Sequence, residues 1–157
     1  MIQLFKPLRL SARVSVPLLL LRLVVGLAFM FHGYGKIQHP FGWMGPNATI
    51  PPFFQALAAI SEFGGGLAWI LGALTPLASF GVACTMTVAV WMTATVFHLP
   101  FVSQKGGGAC ELPATYLCVA LLLLLAGPGR FSLDQILFGE RRPDASGPGA
   151  TPGAGTP

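Results

Sequence analysis

His32, Lys36, Glu62, His98 and Glu111 are ionisable side chains within or beside the long apolar runs of a chain poor in charge. Imidazoles and carboxylates accept and deliver protons, and a neighbouring cation can hold a carbonyl or anionic oxygen. Arg22 belongs with them, because it interrupts the apolar run over residues 18–37. A charge inside a membrane-spanning helix costs about 2.5–3.5 kcal/mol on insertion scales, so each such group is expected to face protein or water rather than lipid. Glu62, His98, His32 and Glu111 are therefore the candidates for proton transfer. Arg22, Lys36, Trp69 and Trp91 are the candidates for holding a ligand, with the two tryptophans as an apolar floor suited to a flat ring. Each group also has a plainer role. Arg22 or Lys36 can pair with Glu62 to join the first two helices, Lys36 can reach the headgroups, and Glu111 can sit at a helix start where the dipole favours a carboxylate. His32 and His98 can be interfacial polar groups.

The elements that would position these groups follow from composition. Of 157 residues, 54% are hydrophobic and only 9% charged, and the mean hydropathy is +0.70. Soluble domains carry about 25% charged residues, so this chain is expected to be an all-α integral membrane protein. About 20 apolar residues in a helix cross a hydrocarbon core of ~30 Å. Four such segments are expected, over residues 17–37, 52–74, 76–99 and 109–127, forming a four-helix bundle. Wound at ~100° per residue, Arg22, Gly26, Phe29, Gly33 and Lys36 fall on one stripe of the first helix. Glu62, Gly65, Gly66, Trp69, Gly72 and Ala73 share a face of the second. Glycines there let helices approach closely. On the third, Thr87, Trp91, Ala94 and His98 line up, and its threonines can bond carbonyls one turn back.

The connecting segments separate the two ends of the bundle. Residues 38–51 are broken by Pro and Gly and carry Phe41 and Trp43, rings that suit the headgroup region. Residues 100–108 form a second loop. After the fourth span, Ser132 and Gln135 fit a capping box that opens a short interfacial helix within residues 128–142. Residues 143–157 are Pro/Gly-rich and expected to be disordered. Four spans put both termini on one side. Lys6, Arg9, Arg13, Arg130, Arg141 and Arg142 fall on that side, against Lys36 and Lys105 on the loop side. By the positive-inside rule residues 1–16 are a basic cytoplasmic leader, and the candidate groups lie toward the outer face.

Several classes are disfavoured. The net charge of +4 comes from residues flanking apolar runs, not a nucleic-acid patch. Cys84, Cys110 and Cys118 form no C-x-x-C pair, which argues against a dithiol relay, with Cys110 placed near the outer surface. His32, His98 and Glu111 have metal-ligand chemistry but no diagnostic spacing, so no metal site is assigned.

The runs LLRLVVGLAFMFHGYGKI, SEFGGGLAWILGALTPLASFG, E-L-P-A-T-Y-L and GPGRFSLD, in that order, resemble the DoxX/DoxD family of small four-helix membrane proteins. The resemblance covers about residues 18–137. It implies a bundle in a bacterial or archaeal cytoplasmic membrane and, for some members, a subunit of a thiosulfate:quinone oxidoreductase or of a thiol or oxidative-stress assembly. The function expected is thus a membrane subunit of a redox complex that meets a quinone, with a protein partner or a second copy of the chain. A non-catalytic membrane anchor for a partner enzyme is the alternative. Having no redox centre of its own, the chain would be a quinone-linked subunit rather than a self-sufficient enzyme.

Overall fold

The computed structural model describes residues 10–104 and 106–139, and every regular element among them is helical. The elements are α1 (Ala12–Gln38), α2 (Pro52–Leu71), α3 (Thr75–Trp91), α4 (Glu111–Ala126) and α5 (Leu133–Phe138), with a π-helical turn, Met92–Val96, prolonging α3. Most of the basic leader, Lys105 and the tail expected to be disordered lie outside the described residues. α1, α2 and α3 with its π turn run 27, 20 and 22 residues and are apolar enough to cross a membrane. α4 has 16 residues, a rise of ~24 Å. The outer surface is lined by apolar side chains such as Val24, Phe31 and Leu125, which are 69%, 75% and 77% exposed. Such a surface suits lipid and not water.

α1 starts at Ala12, so Pro17 stands inside the helix rather than at its head. Its missing N–H costs one helical bond. The turn before it is held from outside, because Ser15 Oγ accepts from the Arg130 N–H at 3.2 Å. α1 buries Arg22, Gly26, Phe29 and Gly33 on one stripe. α2 buries Glu62, Gly65, Gly66 and Trp69 on the face expected of it, along with Gln55. The two helices cross with backbones nearly touching. A Cβ on Gly66 would come 2.6 Å from the Gly26 carbonyl oxygen, and one on Gly33 would come 2.5 Å from the Phe63 nitrogen. No side chain fits in that seam.

α2 packs on α3 and α3 on α4. Tyr116 of α4 closes the ring of helices by packing on Phe29 of α1, with ring centroids 4.8 Å apart. Trp69 meets Phe29 edge-on at 5.4 Å and donates from Nε1 to Ser79 Oγ at 2.9 Å, so a fully buried indole has its polar atom satisfied.

Arg22 does not pair with Glu62. It is buried at the opposite end of α2, where Nε donates to the Trp69 carbonyl at 2.8 Å and Nη2 to Ile70 at 3.3 Å. Nη1 donates to the carbonyls of Pro128 and Phe131 at 2.7 and 2.9 Å. The last carbonyls of a helix lack intrahelical donors and carry its negative dipole end. A planar guanidinium satisfies several of them at once, while its long stem reaches from one helix to the next.

Asp134 is the complement. Its two oxygens accept from the N–H groups of Leu74 and Thr75 at 2.7 and 2.8 Å, which caps the start of α3. α5 thus holds the α2–α3 corner from below, with Ser132 accepting from the Gln135 N–H as its own cap. Leu133, Ile136 and Leu137 remain outward, as an interfacial helix requires.

Candidate functional site

At the loop end of the bundle, Lys36 Nζ donates to both oxygens of Glu62, at 2.6 and 2.7 Å. Lys36 is in the last turn of α1 and Glu62 lies midway along α2. The close seam at Gly33 brings the two helices near enough for a lysine to span them. Glu62 is 3% exposed at the side chain and Lys36 26%, so the carboxylate is inside and the ammonium at the rim. The Lys36 ammonium also lies 4.4 Å from the centroid of the Trp43 ring, a cation–π contact. Rather than reaching only for headgroups, Lys36 is drawn inward.

Gln55 fixes the loop that carries Trp43. Its carbonyl accepts from Trp43 Nε1 at 3.0 Å, its Oε1 accepts from the Met44 N–H at 3.2 Å, and its Nε2 donates to the Ile50 carbonyl at 2.8 Å. One buried amide therefore folds residues 43–50 onto α2. Gln55 was not among the sequence candidates. It lies seven residues before Glu62, two turns along the same face, and that spacing was the available signal.

Cavities meet at the ion pair from three directions. On the outer surface, an open pocket of about 560 Å³ is lined by His32, His39, Lys36 and Trp43. Between α1 and α4, an open crevice of about 160 Å³ is bordered by Phe29, His32, Lys36, Glu62, Met86 and, from α4, Leu112, Pro113 and Tyr116. Toward the lipid, a cleft of about 580 Å³ lies between α2 and α3, walled by Leu57, Ala58, Phe80, Cys84 and Val88, with Lys36, Glu62, Gln55 and Trp43 at its head. The last has the size and apolar lining of a small-molecule site with a few convergent polar groups.

The structure brings His32, Lys36 and Glu62 together and leaves the other expected members elsewhere. Arg22 is committed to the four carbonyls at the far end. His98 is exposed at φ 50° beyond the π turn, and Glu111 is the exposed first residue of α4. An extra residue in the π turn breaks the α-helical register that would have aligned His98 with Thr87. Trp91 is 58% exposed and forms no floor, whereas Trp69 lies in the core beneath Phe29. The threonines of α3 bond carbonyls of the preceding turn, as with Thr87 to Ala83 at 2.8 Å. Cys110 is buried and donates to the Leu99 carbonyl at 3.5 Å, which withdraws it from surface disulfide chemistry. Among the described residues no group of three or more His, Cys, Asp and Glu is placed to hold a metal ion. Tyr116, within the E-L-P-A-T-Y-L run, was also not singled out for the site. It stacks edge-on to His32, with centroids 6.1 Å apart, and borders the crevice between α1 and α4.

Comparison with known proteins gives a consistent set of relatives. The inner membrane protein YqjF of Escherichia coli (strain K12) is 32% identical over 78% of this chain and 93% of its own length. A membrane protein of Mycobacterium tuberculosis described as uncharacterized is 32% identical over 74% of this chain and 78% of its own. A Haemophilus influenzae protein described in the same way is 30% identical over 75% and 88%. No solved structure matches the chain. The family profile that matches, over residues 17–95, takes in both partners of the ion pair and every residue lining the α2–α3 cleft, and by that match and these relatives the chain is a membrane protein of the DoxX family.

Proposed function

We propose that the protein is the membrane subunit of a redox complex and that its α2–α3 cleft receives a quinone, with the Lys36–Glu62 pair at the quinone head. The observation that carries this is the cleft itself: an apolar volume of about 580 Å³ open to the bilayer, ending on one buried carboxylate and its lysine. The residues present fit such a group. Leu57, Phe80 and Val88 offer an apolar wall for a ring and the start of its tail, and Lys36 is a donor for a carbonyl oxygen. A quinone, when bound, supplies reversible two-electron, two-proton chemistry. Glu62 is then the group that holds or releases a proton beside the cleft, while Lys36 keeps its charge tolerable there. In this reading the chain is a subunit, and the electrons would pass to or from a partner protein. We place the loop end outside and both termini in the cytoplasm, since Lys6, Arg9, Arg13, Arg130, Arg141 and Arg142 all belong to the terminal side.

The test is chemical identification of what copurifies with the gently solubilised protein. A quinone present in the native preparation and lost in Ala58→Phe, which fills the cleft, supports the proposal. A stoichiometric protein partner with no quinone in either preparation would instead favour a membrane anchor.

A further inference from the structure

The 160 Å³ crevice between α1 and α4 adjoins the cleft at Lys36 and Glu62 but is not needed to hold a ring. Its wall is divided by chemistry. Glu62, Lys36 and His32 present polar groups to it, while Phe29 and Met86 form its inner side. Water is held where there is room and two or more polar partners, and His32, Lys36 and Glu62 are the polar groups that border this space. His32 and Lys36 also line the 560 Å³ pocket at the surface, so the same two side chains border the inner and the outer space. Toward the termini the situation reverses. Phe29, Trp69, Val82 and Leu123 are 1%, 0%, 0% and 0% exposed and fill the bundle below the cavity. Beneath them, the Arg22 and Asp134 hydrogen bonds seal the α2–α3 corner.

We propose that this cavity is a hydrated vestibule that connects Glu62 to the loop end of the bundle alone, with His32 and Tyr116 as the two sides of its mouth. Tyr116 from α4 and His32 from α1 meet across the gap between the first and last helices, where the backbones themselves make little contact. Their rings set the width of the opening. Protons then exchange between Glu62 and the loop-side solution, and a ligand in the cleft meets them only through the carboxylate. The use of that proton by a quinone rests on the function proposed above. The hydration and its one-sidedness do not.

The test needs no ligand. In a variant with Cys84, Cys110 and Cys118 replaced by serine, Met86→Cys is placed in the inner wall, and sealed vesicles of uniform orientation receive a charged, impermeant methanethiosulfonate. The thiolate attacks the sulfenyl sulfur of such reagents and displaces methanesulfinate, and the thiolate forms only where water reaches the sulfur. Labelling is expected from the loop side, at least tenfold slower in His32→Trp, and absent from the terminal side. Leu123→Cys, one layer deeper, should stay unlabelled. Equal labelling from both sides, or none at Met86→Cys, overturns the proposal. Where the cysteine variants do not fold, hydroxyl-radical footprinting decides: oxidation of Met86 that falls severalfold in His32→Trp supports a wet cavity, and Met86 oxidation unchanged by that substitution refutes it. Absence of any quinone from the native preparation with this labelling pattern intact would overturn the redox proposal and leave the vestibule standing.

Discussion

Lys36 Nζ lies within 2.7 Å of both oxygens of Glu62, although the two residues are on different helices and 26 positions apart. Two glycines upstream make this possible: with Gly26 and Gly33 at the seam, α1 and α2 run closely enough for the side chains to meet. The pair consequently behaves as a unit. Glu62→Gln leaves a partly solvated ammonium, and Lys36→Gln leaves a carboxylate that is 3% exposed. Removing one partner of a fully buried pair costs about 3–5 kcal/mol. Lys36→Gln should approach that figure, while Glu62→Gln should cost less because Lys36 keeps the Trp43 ring and some water. Melting in detergent should show the double variant milder than the two effects added. Combination of Glu62→Gln with Arg22→Gln should be additive within about 0.5 kcal/mol, as for distant sites.

Arg22 supports the fold, not the site. Arg22→Ala would take a donor from the carbonyls of Trp69, Ile70, Pro128 and Phe131, of which that of Trp69 keeps a second donor, the Gly72 N–H. An orphaned buried acceptor costs about 1–3 kcal/mol, so a loss above ~4 kcal/mol is expected. Arg22→Lys should recover little of it, because an ammonium lacks the fork that reaches two helix ends. Thermal unfolding of both variants measures this, and near-wild-type stability of the lysine variant would contradict the account.

Two glycines two residues apart on α1 should respond in opposite ways. A Cβ on Gly33 meets the Phe63 backbone at 2.5 Å, whereas one on Gly35 meets nothing within 4 Å. Gly33→Ala should force α1 and α2 apart, weaken the adjacent ion pair and destabilise the bundle. Gly35→Ala should stabilise it by up to about 1 kcal/mol through helix propensity alone. A comparison of their melting midpoints decides.

His98 is held at φ 50°, a conformation that costs an L-residue about 1–2 kcal/mol relative to glycine. His98→Gly should therefore be neutral or stabilising and leave ligand binding in the cleft unchanged. If it abolished binding, the imidazole would have to be restored to the site.

Orientation is testable by side-specific labelling. In the cysteine-free background, Gly42→Cys in the loop after α1 should react with an impermeant maleimide added to intact cells, and Arg130→Cys at the other end should react only after lysis. The reverse pattern would invert the bundle and assign the vestibule to the cytoplasm.

How much of this was legible in the sequence varies residue by residue. The apolar spans and the inward stripes were legible, because a 100° winding depends only on spacing along one helix. Ser132 as the cap of α5 was legible for the same reason, being a contact between near neighbours. The partner of Glu62 was not. Counting rise along each helix left both Arg22 and Lys36 open, since depth alone does not say which glycine seam brings the helices together. Rise counting also carried His98 into the site. The π turn at Met92–Val96 removed it, and nothing in a run of Met, Thr and Ala announces an inserted residue.

By itself, then, the sequence determined that this chain is an all-helical membrane protein with Arg22 and Glu62 turned inward from its spans, because lipid penalises exposed charge and unpaired backbone whatever the tertiary arrangement. Only the tertiary structure decided which charge neutralises which. Arg22 went to the carbonyls at the end of α2, Asp134 to the amides at the start of α3, and Lys36 to Glu62. Those choices depend on helix crossings and on which backbone groups are left unpaired at each corner, and both are set by packing between segments far apart in the chain.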